Sequence, residues 1–430
     1  MSFRTDAADS IRKELLAACG EVEGSVAFPA STEEAAAVMR VAAEHELAVV
    51  PRGGGSRLSW GTPATRCDLV ADLTRMSSVV EHSSGDLVAR LQAGARMGDV
   101  AAVLAAAGQE IALDVPGGAT VGGIVASGLA GPRRLRYGTP RDLLIGITIV
   151  RADGTVAKSG GKVVKNVAGY DLGKLFAGSA GTLGLITEAT FRLHPLPAAR
   201  AFVSAEYGPM PGGSGGVVPP GENGAVSVAC DAVAAAANSP LVSSAVELVR
   251  SAPGGPILVG VLLEGSAEGV QARSMRMANL LGKAEVAVDP PDWWPGAPRA
   301  VDGETLIRAS FWVSALGQVL DAVETTAGRF GVSPVIEGSA GAGVLYLRVG
   351  GEAGAHAVAG FVAGLRGAVA GERSAGQRGA VTVLAAPAPV REELGGRGGM
   401  DGAVPGLALM RAVKDQFDPG HRMAPGRFPC

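Results

Sequence analysis

The sequence predicts an α+β protein in two parts, a first domain over residues 24–197 and a second, sheet-and-helix domain over 198–400. Three observations carry this. The chain has 430 residues, room for more than one hydrophobic core. Strand and helix patterns run on both sides of 208–224, GPMPGGSGGVVPPGENG, which offers a core almost no side chain and reads as a flexible surface loop. Glycine (64) and proline (26) are abundant, yet the periodic segments between them exclude a disordered chain, so the glycines serve tight turns or a ligand lying against main chain.

The elements follow in order after a lead of residues 1–23. GSVAFPA at 24–30 reads as a short strand, and Ser31 and Glu34 stand in capping-box spacing ahead of the helix EEAAAVMRVAAEHE. The apolar run LAVVP at 47–51 completes a β-α-β unit. Strands are expected at 68–73 and 87–93, a helix near 98–107, a strand around 143–151, a hairpin at Asp153-Gly154 and a strand at 185–195. In the second domain a helix is expected at about 241–250, strand 257–264, helix 266–281, strand 304–313 and a helix near 315–328. Strands near 333–337 and 343–349, helix 354–370 and strand 380–386 continue it; RGGMDGAVPG then breaks the pattern before a last helix at 407–417.

Lys and Arg number 38 against 41 Asp and Glu, so no strong field attracts nucleic acid or anionic lipid, and with aromatics at 4% stacking platforms for bases are not expected. Cys19, Cys67, Cys230 and Cys430 lie too far apart for a metal box or an iron–sulfur ligand run and read as reduced thiols. The charged N-terminus lacks the apolar core of a signal peptide, and no run of about 18 apolar residues occurs; a cytoplasmic protein is expected.

Two glycine segments carry the chemistry. Arg52-Gly53-Gly54-Gly55-Ser56 follows a buried strand and is either a plain glycine-rich turn or a concave anion site of backbone N–H groups suited to a pyrophosphate. It is neither a Walker A loop nor a Rossmann fingerprint. Pro116-Gly117-Gly118-Ala119-Thr120-Val121-Gly122-Gly123 lets a flat ligand or a phosphate chain approach the backbone, with hydroxyls from Thr120 and Ser127. Together they suggest one long ligand spanning two loops.

The order RGGGS, PGGATVGGIVASG, RYGTPRD and GGKVVKNVAGYDLGKLFAGSAGTLGLITEATFRLHPLP resembles the FAD-binding domain of the vanillyl-alcohol oxidase and p-cresol methylhydroxylase type, the PCMH-type domain. The tail FDPGHRMAPGRF is similar to the segment with which that family returns to its flavin domain, and KNVAGYDLGKL is similar to the FAD-binding accessory subunit of glycolate oxidase. The resemblance implies a PCMH-type domain over 24–197, an α/β cap domain with an antiparallel sheet over 198–400, and a segment 401–430 returning to the first domain. It implies FAD, with Arg52, Gly53, Gly54, Gly55, Ser56 and Arg57 at the pyrophosphate. Pro116, Gly118, Thr120, Gly122, Gly123, Ser127 and Gly128 match the second flavin loop. Tyr137, Gly138 and Asp142 match a turn beside the cofactor, and Gly181, Ile186 and Thr187 match a strand at its adenosine side. Arg427 closes the set. For Asp142 and Arg427 the alternative is a salt bridge or cap holding the fold.

The chain departs from the family at two places. Ser56 stands where members with histidine-attached flavin carry the histidine, so non-covalent FAD is expected. The histidine-rich stretch of catalytic 2-hydroxy-acid dehydrogenases is replaced by EGSAGAGVLYLRVG at 337–350; Arg348 offers a carboxylate anchor, but no base is evident and no metal is expected. His421 is either a surface residue or near the flavin, and Trp293-Trp294 is either a subunit contact or a packed loop anchor. Trp60 is a candidate wall of the flavin site. Lys162, Lys165 and Lys174 form a basic cluster, solvated or near the phosphates, while Tyr170 and Asp171 are candidate helix caps. The resemblance implies an FAD-binding subunit of a glycolate-oxidase-like complex beside a catalytic flavoprotein and an iron–sulfur subunit, peripheral to the inner face of the membrane through those partners. The alternatives are a self-sufficient FAD-dependent alcohol or hydroxy-acid oxidase or dehydrogenase, and a non-catalytic flavoprotein scaffold.

Overall fold

The computed structural model describes residues 5–161, 171–208, 224–282, 284–370, 379–396, 399–402 and 404–427. The chain forms two compact units: one of residues 1–130, 138–196 and 404–430, the other of 131–137 and 197–403. Most of the loop read at 208–224, and with it Lys162, Lys165, Tyr170 and Cys430, lies outside the described residues.

The first unit holds two main sheets. One has four strands in the order Val22–Glu23, Val26–Ala27, Leu69–Asp72, Val49–Arg52. Val49–Arg52 and Leu69–Asp72 run parallel, as a β-α-β crossover requires. The crossover helix Thr32–Glu44 starts where the sequence signals it: Ser31 Oγ accepts from Glu34 N at 3.1 Å, and Glu34 Oε2 accepts from Ala30 N at 2.8 Å. Its face of Val38, Met39 and Ala42 packs with Val49, Leu69, Val150 and Leu185. The lead is structured: Thr5–Cys19 is a helix whose Leu15 and Cys19 join that core. The second sheet has five antiparallel strands, in the order Val79–Ser83, Val88–Gln92, Leu185–Arg192, Leu144–Val150, Val156–Gly160. Gly154, at φ +83°, turns the last hairpin.

The C-terminal segment belongs to this unit. After helix Leu407–Phe417, the Lys414 ammonium donates to Asp418 Oδ2 at 2.5 Å, Thr182 O at 2.6 Å and Met423 O at 3.0 Å, with Asp418 fully buried. Every proton of the ammonium is thereby used, which is the condition for burying it.

The second unit is an eight-stranded antiparallel sheet in the order Glu285–Ala287, Ala199–Tyr207, Ile257–Gly265, Ala245–Arg250, Val335–Gly338, Val344–Val349, Thr305–Phe311, Gly379–Ala385. Helices Ala225–Asn238, Ala267–Leu281, Leu316–Phe330 and Ala355–Ala370 contribute to one core with its strands. Alternation along Ile257–Gly265 sends Val259, Val261 and Leu263 into that core, while Leu262 packs with Phe202, Ala245 and Trp294 on the other face. Over that face Trp293 and Trp294 cover Gly260, where an added Cβ would lie 2.6 and 2.7 Å from their rings, so the pair is a packed loop anchor.

The structure corrects the expected helix at 241–250. Ala245–Arg250 is a fully buried strand between Ile257–Gly265 and Val335–Gly338. AVELV satisfies helical and strand spacing alike, and pairing on both edges decides. The helix of this region, Ala225–Asn238, follows Gly224, which offers no side-chain cap to mark its start. Among the described residues no helix is long and apolar enough to cross a membrane.

Candidate cofactor site

The first glycine loop is delivered by the strand Val49–Arg52. Arg52 and Asp72 face each other across the parallel pair, and the Arg52 guanidinium donates to Asp72 Oδ2, whose other oxygen accepts from Thr74 N at 2.9 Å. Asp72, which the sequence reading missed, is buried and fixes the strand end from which the loop leaves. Its signal was a carboxylate closing the strand expected at 68–73. Gly53 then passes so close to Thr120 that a Cβ would stand 2.2 Å from its Oγ1, and one on Gly54 would stand 3.1 Å from Gly118 O. The two glycine segments, more than sixty residues apart in sequence, therefore lie against each other, joined by Gly54 N donating to Thr120 Oγ1 at 3.4 Å. Gly54, Gly55, Ser56, Gly117 and Gly118 are exposed at this junction, with Gly55 at φ +73°.

Thr120 caps the helix Val121–Ser127 by accepting from Gly123 N at 3.3 Å. Gly122 is required by packing, because a Cβ would lie 2.8 Å from that of Ala93, and its amide donates to Ala93 O at 2.7 Å. Behind the loop, Gly98 N donates to Gly117 O at 2.9 Å, so Gly98 is a further close-approach position that the sequence reading missed. Ala119 N donates to Pro116 O at 2.9 Å and closes the turn. The Ser127 hydroxyl donates to Gly123 O at 2.7 Å, and Gly128 ends the helix at φ +64°.

Gly181, at φ +77°, lies against Pro51, where a Cβ would be 3.0 Å from the ring. Ile186 is buried in the core of the five-stranded sheet. Thr187 sits at a break in strand register, fully buried, donating to Thr148 O at 3.2 Å and accepting from Thr32 Oγ1 at 3.0 Å. Both hold the strand rather than present a polar side chain.

Arg57 stacks over Trp60, 5.2 Å from guanidinium to ring centroid, and donates to Ser56 Oγ at 3.2 Å; its Nε is buried without a partner among the described residues, and burial pushes its pKa down from the usual arginine value. Arg427 donates to Leu58 O at 2.7 Å, Trp60 O at 3.0 Å and Arg57 O at 3.4 Å. Asp142 Oδ2 accepts from the backbone and hydroxyl of Thr139, both at 2.8 Å, and Gly138 turns in front of it at φ +84°. Tyr137 belongs to the second unit. Its hydroxyl donates to Glu264 Oε2 at 3.2 Å, and burial followed by that carboxylate raises its pKa.

Glycine backbone exposed at Gly54, Gly55, Gly117 and Gly118, where the two loops meet, fits the extended, phosphate-bearing body of a dinucleotide flavin. Residues 24–160 match the family described as FAD binding domain. The cofactor of this FAD binding domain is FAD. Glycolate oxidase subunit GlcD of Bacillus subtilis is 36% identical over 185 residues, 43% of this chain and 39% of the relative. The mitochondrial D-lactate dehydrogenase [cytochrome] 1 of Saccharomyces cerevisiae is 37% identical over 185 residues, 42% of this chain and 32% of the relative. The matches thus span well under half the length of these relatives. The solved structure of p-cresol methylhydroxylase with substrate bound has a TM-score of 0.72 at 14% identity, covering 98% of this chain and 97% of that one, and shares the fold. A carbohydrate oxidase of Microdochium nivale, at TM-score 0.67 and 16% identity, covers 97% and 98%.

Proposed function

We propose that this chain is the FAD-binding subunit of a complex that oxidises a 2-hydroxy acid such as glycolate, passing electrons beside a separate catalytic flavoprotein and an iron–sulfur subunit. The relatives support the substrate class, since they are named for glycolate, D-lactate and D-2-hydroxyglutarate. One observation carries the accessory role. Arg348, the carboxylate anchor of segment 337–350, lies 3.5 Å from Glu304 and 3.6 Å from Glu337, so its charge is already answered. Tyr346, the other polar ring there, accepts from Arg134 at 2.9 Å. His356 is the one histidine in the second unit's sequence, and its side chain is 91% exposed on a helix. A hydroxy acid needs a positioned base at its hydroxyl and an unengaged cation at its carboxylate, and this segment supplies neither.

When bound, FAD supplies the acceptor for the electrons. The chain's own residues hold it: the amides around Gly53–Ser56 and Gly118 donate to the phosphates, Thr120 keeps the two loops together, and Arg57 adds positive charge. With serine at position 56 the attachment is non-covalent, so acid precipitation releases all flavin to the supernatant. The accessory role is tested by mixing the FAD-loaded chain anaerobically with glycolate or D-lactate while following the flavin's visible absorbance. Slow or absent bleaching, made fast by adding the two partner subunits, supports the proposal. Bleaching of the chain alone at about 1 per second or faster makes it a self-sufficient enzyme.

A further inference from the structure

We propose that Arg427 is a positioning residue for FAD, acting through the ends of the first glycine loop, and that the C-terminal tail is the brace that carries it. The inference rests on the glycine loop being the pyrophosphate cradle. Residues 422–427 run beside the strand that feeds that loop: Val49 N donates to Arg422 O, and Ala424 N to Val49 O, each at 2.8 Å. The same tail then fastens the loop's exit. Thr65 N donates to Pro425 O at 2.8 Å, and Gly426, at φ +82°, packs so tightly on Thr65 that a Cβ would stand 2.5 Å from its Cγ2. Arg427 completes the bracket by donating to the carbonyls of Arg57, Leu58 and Trp60.

The entry and exit of Gly53–Ser56 are thus tied to one six-residue strip. Glycine is the residue that loses most freedom on ordering, so a run of three needs its ends fixed from outside to present its amides in one direction. The guanidinium matches this task because its rigid planar fork reaches three carbonyls at once in one fixed geometry, which a freely rotating ammonium does not impose. Among the described residues its side-chain hydrogen bonds go to backbone of residues 57–60. The strip is itself anchored by the Lys414–Asp418 pair, since Asp418 accepts from Arg422 N at 3.0 Å and Met423 N at 2.7 Å.

The test is an equilibrium titration of the full-length apo-protein with FAD, read by flavin fluorescence, for wild type, Arg427→Met and Arg427→Lys, each at low and high salt. Arg427→Met is expected to weaken FAD binding about tenfold or more, and Arg427→Lys by less. Both keep the wild-type salt dependence, because the guanidinium acts on carbonyls and not on the phosphates. Unchanged affinity in both variants overturns the proposal. So does a loss of affinity that takes the salt dependence with it, which marks a direct phosphate contact. If Arg427→Met does not fold, Arg427→Lys alone decides by the same two criteria. Gly54→Val is run alongside: if it loses FAD while the Arg427 variants do not, only the brace fails, and if it keeps FAD, the cradle fails and the brace with it.

Discussion

At the glycine loops of the first unit, bare backbone faces solvent; Gly54, Gly55, Ser56, Gly117 and Gly118 are exposed, and the Asp72 carboxylate at the end of the neighbouring strand is spent on Arg52. On the second unit's sheet, the face away from the helices carries a cluster of charged side chains beside the apolar packing of Leu262 and Phe202. Glu264, 1% exposed, takes Arg200 Nε at 2.9 Å, Arg133 Nη1 at 3.4 Å and the Tyr137 hydroxyl at 3.2 Å. Arg136 adds bonds to Ser244 Oγ and Glu264 O, each at 3.3 Å. The first region is made to receive something, because its glycine backbone lies exposed where the two loops meet. The second is made to be filled by its own chain, because residues 131–137 bring the cations that satisfy it.

The comparison breaks most sharply at Glu264. Glu264→Ala strands two arginines, one of them buried, and is expected to destabilise the second unit by about 3–5 kcal/mol. Chemical denaturation followed by tryptophan fluorescence reads this, since Trp293, Trp294 and Trp312 lie in that unit. A loss below about 1 kcal/mol means the cluster is not the clamp of residues 131–137. Next in size is Gly54→Val. Gly54 is exposed and does not lie at positive φ, so the valine meets no backbone strain, but its Cβ would stand 3.1 Å from Gly118 O, where the loops meet and must give by a few tenths of an ångström. FAD affinity is expected to fall about a hundredfold, about 2.7 kcal/mol, with apo-protein stability unchanged within about 0.5 kcal/mol.

These two outcomes also bear on what was legible in the sequence. Glycine runs after buried strands, and the capping pair Ser31 and Glu34, announce themselves because each needs a particular residue type at a particular spacing. The last helix is readable for a related reason, lying between a glycine-rich break and Asp-Pro-Gly. Ala245–Arg250 was misread because its apolar spacing serves helix and strand equally, and only its partners on both sides decide. The membership of residues 131–137 in the second unit is invisible locally, since PRRLRY looks like a solvated basic stretch until Glu264, more than a hundred residues later, is placed beside it. Arg427 is the intermediate case. A Pro-Gly-Arg tail marks a return to the flavin domain, but that its guanidinium meets carbonyls of residues 57–60 follows only from coordinates.

A smaller effect sharpens the second region. Gly260→Val displaces Trp293 and Trp294 from the sheet, costing about 1–3 kcal/mol and shifting tryptophan emission to the red, with FAD titration unaltered. Unshifted emission means the pair does not rest on Gly260. The smallest concerns Tyr207, whose phenol donates to Leu281 O at 2.7 Å and is pushed by burial from 10.0 up to about 12. Because the folded value lies above the unfolded one, this contribution is fully present below pH 10.0 and is lost as pH rises towards 12. Tyr207→Phe is therefore expected to lower stability by about 1 kcal/mol near neutrality and to flatten the alkaline decline, as urea midpoints at about pH 8 and about pH 11 measure. An alkaline decline equally steep in the variant assigns it to other groups.

Where FAD lies is read most directly from a crystal structure of the FAD-loaded protein. Pyrophosphate oxygens are expected within hydrogen-bond distance of backbone amides in Gly53–Ser56, with the chain of the cofactor running along Gly117–Gly123 and no covalent bond from Ser56. A pyrophosphate bound elsewhere, with these amides facing only water, contradicts that placement.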